Sequence, residues 1–308
     1  MIYNLYTQVN YRIQIMAEIK LFNISGTKAT GIKSKRLSLE REIQDIIERN
    51  LDTLFGIHFL ASEYSIDEGR VDTLGLDENN CPVIIEYKLD SNTNVINQGL
   101  FYLDWFMEHK AEFDILCREK LGAKKDIDWD NPRLLCIASD FNKYDDNAIK
   151  QINRNIELIR YTLFENNFLM IQLASAVSEK PKNQNSSKDK YPYDRIKYRF
   201  KTVNPDILQF TEQLDEYILN LGDDIQKKEL KNYWAYKTIK NLVCLVLNKD
   251  KLGVYLSVEY KDIKNPRPNV ENVKGKGHWG TGNTVVFVRD AKDFEYAKEL
   301  IDKVYYGV

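Results

Sequence analysis

Residues 82–89, Pro-Val-Ile-Ile-Glu-Tyr-Lys-Leu, constrain this chain more than any other stretch. Val83, Ile84, Ile85 and Tyr87 place apolar groups on both sides of a strand, which is stable only where both faces of the sheet are covered. The strand is therefore central in its sheet, and the class is α/β. Glu86 and Lys88 interrupt it at a spacing of two, so carboxylate and ammonium project from one face while Ile85, Tyr87 and Leu89 take the other. An unpaired ion buried in such a place costs on the order of several kcal/mol, so the pair needs a purpose.

Residues 70–76 read as another strand, and Asp77-Glu78-Asn79-Asn80 is a turn leading into the first. A hairpin between them brings Asp72 to Glu86 and Lys88. A hard dication suits that group: Asp72, one oxygen of Glu86 and the backbone carbonyl of Tyr87 can hold Mg²⁺, with Mn²⁺ as a substitute, leaving room for water and a phosphate oxygen. Lys88 then orients or helps deprotonate the attacking water and stabilises charge developing on phosphorus. The reaction expected is phosphodiester hydrolysis; a structural salt bridge within the sheet is the plain alternative.

Apolar residues at helical spacing (Leu39, Ile43, Ile46, Ile47, Leu51) predict a helix after Ser38, which can cap it, ending at 50–54. A strand at 58–66 precedes the hairpin. A long helix at 94–120, a strand at 134–138, a short helix at 145–153 and strands at 156–163 and 168–173 follow it. Residues 178–190 contain no apolar side chain and read as a polar linker. The expected organisation is an N-terminal extension with a short strand at 16–22 (1–36), a first domain (37–177), the linker, and a smaller α+β domain (191–308). In that last part the pattern gives a helix at 205–221, a hairpin of 242–247 with 254–258, a strand at 284–289 and a helix at 291–305. Residues 26–35 read as a loop, and Met16 offers a second start of translation.

Composition narrows the function classes. Lys+Arg 44 against Asp+Glu 46 leaves a net charge of -2, so nucleic-acid binding has to come from local patches. The apolar runs are far shorter than the roughly 20 residues of a bilayer span, and residues 1–16 lack a secretory core, so a cytoplasmic protein with no membrane association is expected. The scattered cysteines Cys81, Cys117, Cys136 and Cys244 fit buried reduced thiols. The histidines His58, His109 and His278 are not paired at ligand spacing.

Asp72 followed across a hairpin by Glu86-x-Lys88 resembles the PD-(D/E)xK superfamily of restriction-like nucleases. The surroundings strengthen it: Glu40 on a leading helix, Gly69-Arg70-Val71-Asp72, Val83 to Lys88, then Gln98-Gly-Leu-Phe-Tyr102, which resembles the Q-x-x-x-Y motif of the RecB-like branch. The ensemble is most similar to the catalytic domain of the NucS (EndoMS) endonucleases, over residues 37–173.

The resemblance implies a restriction-endonuclease-like mixed sheet flanked by helices and a metal-dependent DNA endonuclease of repair or foreign-DNA defence. It implies catalytic positions for Asp72, Glu86 and Lys88, with Glu40 touching the metal directly or through water. It also implies Gln98 and Tyr102 on one helix face at the active site or DNA backbone, Arg70 for a phosphate, and DNA as partner. A homodimer is an open option. The NucS proteins carry a separate N-terminal DNA-binding and dimerisation domain where this chain has a short segment, so their branched-DNA or mismatch specificity does not carry over. A non-catalytic nucleic-acid-binding protein on a nuclease scaffold is the main rival, and a partner- or ligand-binding module is a second.

Tyr233-Trp-Ala-Tyr-Lys237 and Gly275-Lys-Gly-His-Trp-Gly-Thr-Gly282 resemble an uncharacterised domain found behind such nucleases, sometimes labelled a predicted transport protein; no carrier feature accompanies them. The glycine loop, with Lys274, Lys276 and His278, can offer N–H groups to a phosphate and Trp279 to a base, or serve as a tight turn. It lacks nucleotide-binding P-loop spacing. Arg195, Lys197, Tyr198, Arg199 and Lys201 form a basic and aromatic stretch suited to DNA or simply to solvent.

Overall fold

The computed structural model describes residues 19–89, 94–122, 125–178 and 202–307. The proposed polar linker, Ser178 excepted, and the basic stretch at 195–201 lie outside the described residues. The chain divides into two compact units, residues 1–36 with 162–170 and residues 37–161 with 171–308.

In the first unit β1 (Leu21–Ser25) and β2 (Lys28–Ile32) form an antiparallel hairpin. Its turn uses Gly26 at φ 61°, a conformation that glycine adopts without a Cβ clash. β3 (Ser34–Lys35) pairs with residues 163–164. Residues 26–35, expected as a loop, are thus mostly strand; of the strand expected at 16–22, Leu21 and Phe22 lie in β1, and 16–18 lie outside the described residues. Their polar, exposed composition hides the pairing, because no buried face imposes an alternation.

The second unit contains two sheets. The first is built from β4 (Ile57–Ile66), β5 (Gly69–Asp77), β6 (Pro82–Lys88), β7 (Arg133–Ala138) and the parts of β8 (Asn155–Phe164) up to Tyr161 and of β9 (Phe168–Val177) from Ile171. From β8 its order is β8-β7-β6-β5-β4, with β9 also paired to β8; β6, β7 and β8 are parallel and β4, β5 and β6 antiparallel. β6 is central and almost wholly buried, as its apolar composition on both faces requires. Helices α1 (Glu40–Glu48) and α2 (Leu51–Phe55) precede the sheet. The crossover to β7 is α3 (Asn94–Glu108) and α4 (Lys110–Leu121), and the crossover to β8 is α5 (Lys143–Lys150). Val95, Leu103, Phe106 and Phe113 pack on Leu74, Ile84, Leu134 and Ile156 in the core.

Two local expectations change. The helix expected at 94–120 is broken at His109, whose ring stacks on Trp105 at 3.9 Å and whose Nδ1 lies 2.7 Å from the Trp105 carbonyl oxygen. The side chain thereby competes with the backbone for that carbonyl. Ser38 does not cap α1; its hydroxyl donates to Glu42 Oε1 at 2.8 Å, and Leu39 occupies the cap position.

The second sheet has the order β10-β11-β12-β13-β15-β14 and is antiparallel throughout. Its strands are β10 (Gln226–Glu229), β11 (Trp234–Lys237), β12 (Asn241–Leu247), β13 (Leu252–Leu256), β14 (Val270–Asn272) and β15 (Thr284–Val288). Helices α6 (Pro205–Leu219) and α7 (Ala291–Tyr306) cover one face, through Ile207, Leu214, Ile218, Leu300 and Ile301. The opposite face, with Ala235, Cys244, Val246 and Phe287, closes over Cys81 from the β5–β6 turn. Among the described residues no helix is long and apolar enough to cross a membrane, and Cys81, Cys117, Cys136 and Cys244 are free and buried.

Candidate active site

The β5–β6 ladder runs from Leu76↔Pro82 to Thr73↔Ile85 and stops there. Just beyond, two carboxylates stand in for backbone carbonyls. The Asp72 N–H donates to Glu86 Oε1 at 3.2 Å, and the Tyr87 N–H donates to Asp72 Oδ2 at 3.0 Å. The strands part at this point, so side chains reach into the gap.

Glu86 is fully buried, and its second oxygen, Oε2, has no hydrogen-bond partner. Burial and then the neighbouring Asp72 charge push its carboxyl up to about 9. Burial also raises Asp72, against the Tyr87 N–H and Lys88, which lower it. An orphaned carboxylate oxygen next to a second desolvated carboxylate is a donor set for a hard cation. Among the described residues no three His, Cys, Asp or Glu side chains converge, so this pair leaves remaining positions to backbone, water or substrate.

Lys88 is the nearby cation. Its Nζ lies 3.3 Å from Glu40 Oε2, with the lysine side chain 19% and the glutamate 44% exposed. Glu40 therefore reaches the site through Lys88. It begins a polar stripe on α1, Glu40, Gln44 and Glu48, one helical turn apart beside the buried Ile43 and Ile47. Gln44 Nε2 donates to the Asp72 carbonyl at 3.0 Å and to Glu48 Oε1 at 2.9 Å. Glu48 Oε1 also accepts from Thr73 Oγ1 at 2.6 Å. Gln44 and Glu48 were not singled out from the sequence, although polar residues recurring every fourth position on an apolar helix face are a visible signal.

On α3, Gln98 and Tyr102 do meet: Gln98 Nε2 donates to Tyr102 Oη at 3.1 Å, and the Arg70 N–H donates to it at 3.4 Å. A Cβ on Gly69 would come within 2.8 Å of the Tyr102 ring, which explains a glycine at that strand start. Arg70 points elsewhere with its guanidinium. Its Nε pairs with Glu63 Oε2 at 2.5 Å, and Glu63 Oε1 takes Arg41 Nη1 at 3.3 Å. Glu63 interrupts β4 at φ 52°, in the left-handed region, between the paired residues Ser62↔Thr73 and Tyr64↔Val71. Its charge also acts on Asp72. Sequence reading had no signal for this residue, because its role depends on a left-handed backbone position that no residue pattern announces.

The glycine loop of the second sheet is held as a turn. Gly282 has φ 109°, and a Cβ there would lie 2.4 Å from the Leu256 carbonyl oxygen. Thr281 contacts Cys244 Sγ and Asn241, Lys274 pairs with Glu259 at 3.2 Å, and His278 stacks on Tyr255 at 4.9 Å. Trp279 is exposed. The Tyr233–Lys237 segment joins the two sheets: Tyr233 Oη donates to Asn79 Oδ1 at 3.0 Å, and Lys237 Nζ donates to Glu157 Oε1 at 2.7 Å.

Residues 39–125 match the family described as Endonuclease NucS C-terminal domain. The match takes in Glu40, Asp72, Glu86, Lys88, Gln98 and Tyr102, and it agrees with the resemblance carried by the motifs. An uncharacterized protein of Haemophilus influenzae is 28% identical over 296 residues, 92% of this chain and 98% of that protein. A crystal structure of a repair endonuclease from Pyrococcus abyssi is similar at 18% identity, over 42% of this chain and 49% of that one, with a TM-score of 0.29. A structure of an EndoMS–dsDNA complex is similar at 20% identity, over 41% of this chain and 47% of that one, with a TM-score of 0.28. The chain spans about half the length of these solved structures.

Proposed function

We propose that this protein is a divalent-metal-dependent DNA endonuclease that hydrolyses phosphodiester bonds. The observation that carries the reading is the buried, partnerless Glu86 Oε2 beside the Asp72 carboxylate, with Lys88 on the same strand. The match of residues 39–125 to an endonuclease domain supports it.

Asp72, Glu86 and the backbone carbonyl of Tyr87 are the groups to hold Mg²⁺, or Mn²⁺ in its place. A hard dication bound there supplies Lewis-acid stabilisation of the phosphate and acidifies the attacking water. Lys88 orients that water and stabilises negative charge on the phosphate oxygens, while Glu40, 3.3 Å away, fixes its ammonium. Tyr102 Oη accepts from Gln98 and from the Arg70 N–H, so its own proton is free for a phosphate oxygen. The Arg70–Glu63 pair has an arginine side chain 63% exposed, and pairs of that kind are worth about 0–1 kcal/mol, so a DNA phosphate can compete for the guanidinium. The setting is cytoplasmic DNA repair or defence against foreign DNA.

The test is incubation with supercoiled, linear and single-stranded DNA in Mg²⁺, Mn²⁺ or EDTA, beside Asp72→Ala and Lys88→Ala. Cleavage that needs the dication and both residues is expected. Cleavage indifferent to both substitutions, or none with any substrate, overturns the reading; salt-dependent binding alone marks a non-catalytic DNA-binding protein.

A further inference from the structure

We infer that Glu63 is a built-in competitor for DNA: it fills a two-arginine site, Arg41 with Arg70, that takes a backbone phosphate next to the one cleaved. The inference deepens the endonuclease reading and rests on it. Each arginine holds a different oxygen of one carboxylate. Arg70 Nε lies 2.5 Å from Glu63 Oε2, and Arg41 Nη1 lies 3.3 Å from Glu63 Oε1. Among the described residues these two arginines are the partners of that carboxylate. Two oxygens on one atom, shared between two guanidinium groups, is also the arrangement that the non-bridging oxygens of a phosphodiester present. Glu63 therefore stands in for a phosphate.

The site borders the proposed metal pair. Ser62 pairs with Thr73 and Tyr64 with Val71, so Glu63 lies across from Asp72. Arg70 is two residues from Asp72 on β5, and Arg41 follows Glu40 on α1. Local charge leaves no positive surplus while Glu63 stays in place: Arg41 Nε also pairs with Asp45 Oδ1 at 2.8 Å, and Asp67 and Glu68 are exposed in the turn before Arg70. A phosphate gains the full attraction of the two arginines only by displacing the Glu63 carboxylate. That displacement costs little, because both arginine side chains are more than half exposed and exposed pairs contribute little. Glu63 also sits at φ 52°, a left-handed position uncommon for glutamate, and backbone of this kind gathers at binding and switch sites. A free anion competes poorly with a tethered carboxylate, whereas a DNA strand already held at the metal pair brings its next phosphate at high effective concentration.

Binding of a fluorescent DNA duplex to the full chain in EDTA, followed by anisotropy over a salt series, tests this, with cleavage in Mg²⁺ measured beside it. Glu63→Gln should bind about 3–5-fold more tightly than wild type. Glu63→Asn should show the same gain; it also removes the charge, suits the left-handed backbone and covers the case in which Glu63→Gln fails to fold. Arg41→Gln and Arg70→Gln should each weaken binding and flatten the slope of log affinity against log salt by about 0.9. With both arginines replaced, Glu63→Gln should change nothing. Glu68→Gln, which removes the same charge from the neighbouring turn, should gain less than about 2-fold. Unchanged or weaker binding in the Glu63 variants overturns the inference. So does a gain that survives loss of the arginines or is matched by Glu68→Gln, or an arginine variant whose salt slope is undiminished. Each of these outcomes leaves the endonuclease reading standing where wild type cleaves DNA. A wild type that binds no duplex also overturns the inference, and if it cleaves none the endonuclease reading falls with it.

Discussion

Strand β5 carries a carboxylate toward each end, and the two sit in opposite circumstances. At one end Asp77 belongs to a matched cluster, in which Arg133 lies 2.8 Å from Asp77 and 2.9 Å from Glu157, and Lys237 lies 2.7 Å from Glu157. At the other end Asp72 faces Glu86 with Lys88 near, and Lys88 is shared with Glu40. The contrast is sharpest between Glu157 and Glu86, which are 4% and 0% exposed. Burial raises both. Arg133 and Lys237 overcome it and bring Glu157 down to about 2, whereas nothing overcomes it at Glu86, which rises to about 9. Burial of a carboxylate therefore does not mark a functional site in this protein. A shortfall of counter-charge is what distinguishes the site proposed for the metal.

The largest effect should come from breaking the matched cluster. Arg133→Met strands Asp77 and Glu157 without their shared cation, and denaturant unfolding should show a loss of about 3–5 kcal/mol. Cleavage per folded molecule should be unchanged. Glu86→Gln should invert that result. DNA cleavage should fall by about 10²–10³-fold, while stability at neutral pH stays within about 1 kcal/mol, since no partner of Oε2 is lost. A stability loss as large as that of Arg133→Met would erase the distinction between the clusters.

The smallest effect concerns Glu78, next to Asp77, whose carboxylate accepts the Asn241 N–H at 3.0 Å. Burial raises its carboxyl to about 7, against the Asn241 bond that lowers it. The folded protein then holds this proton up to about 7, while the unfolded chain releases it near 4.5. The stabilisation is complete below the lower value and disappears as pH rises through the upper one. Wild type should therefore gain Tm relative to Glu78→Gln on acidification from about pH 8 to about pH 5. A difference that stays flat, or runs the other way, would show that Glu78 is charged in the folded state.

The hairpin of β5 and β6, the approach of Asp72 to Glu86 and the Gln98–Tyr102 pair were legible because each rests on local periodicity. Two residues apart on a strand or four apart on a helix is a distance that sequence states directly. The partner of Arg70 was not legible, since Glu63 presents its carboxylate from a left-handed position inside β4. Nor was the meaning of Lys237, which belongs to a recognisable Tyr-Trp-Ala-Tyr-Lys run yet pairs with Glu157 in the other sheet. Residues 26–35 escaped because an exposed hairpin has no buried face to impose a pattern.

Sequence alone determined the class of fold, the central strand and which charged residues must be accounted for, because burying an ion within an apolar strand is too costly to be accidental. Tertiary structure decided which of those ions are matched. Asp77, Arg133, Glu157 and Lys237 are balanced across four strands, while Asp72 and Glu86 are left with more negative charge than their neighbours offset. Charge balance is a property of three-dimensional neighbourhoods, and the near-zero net charge of the chain, -2, contains no record of where it fails.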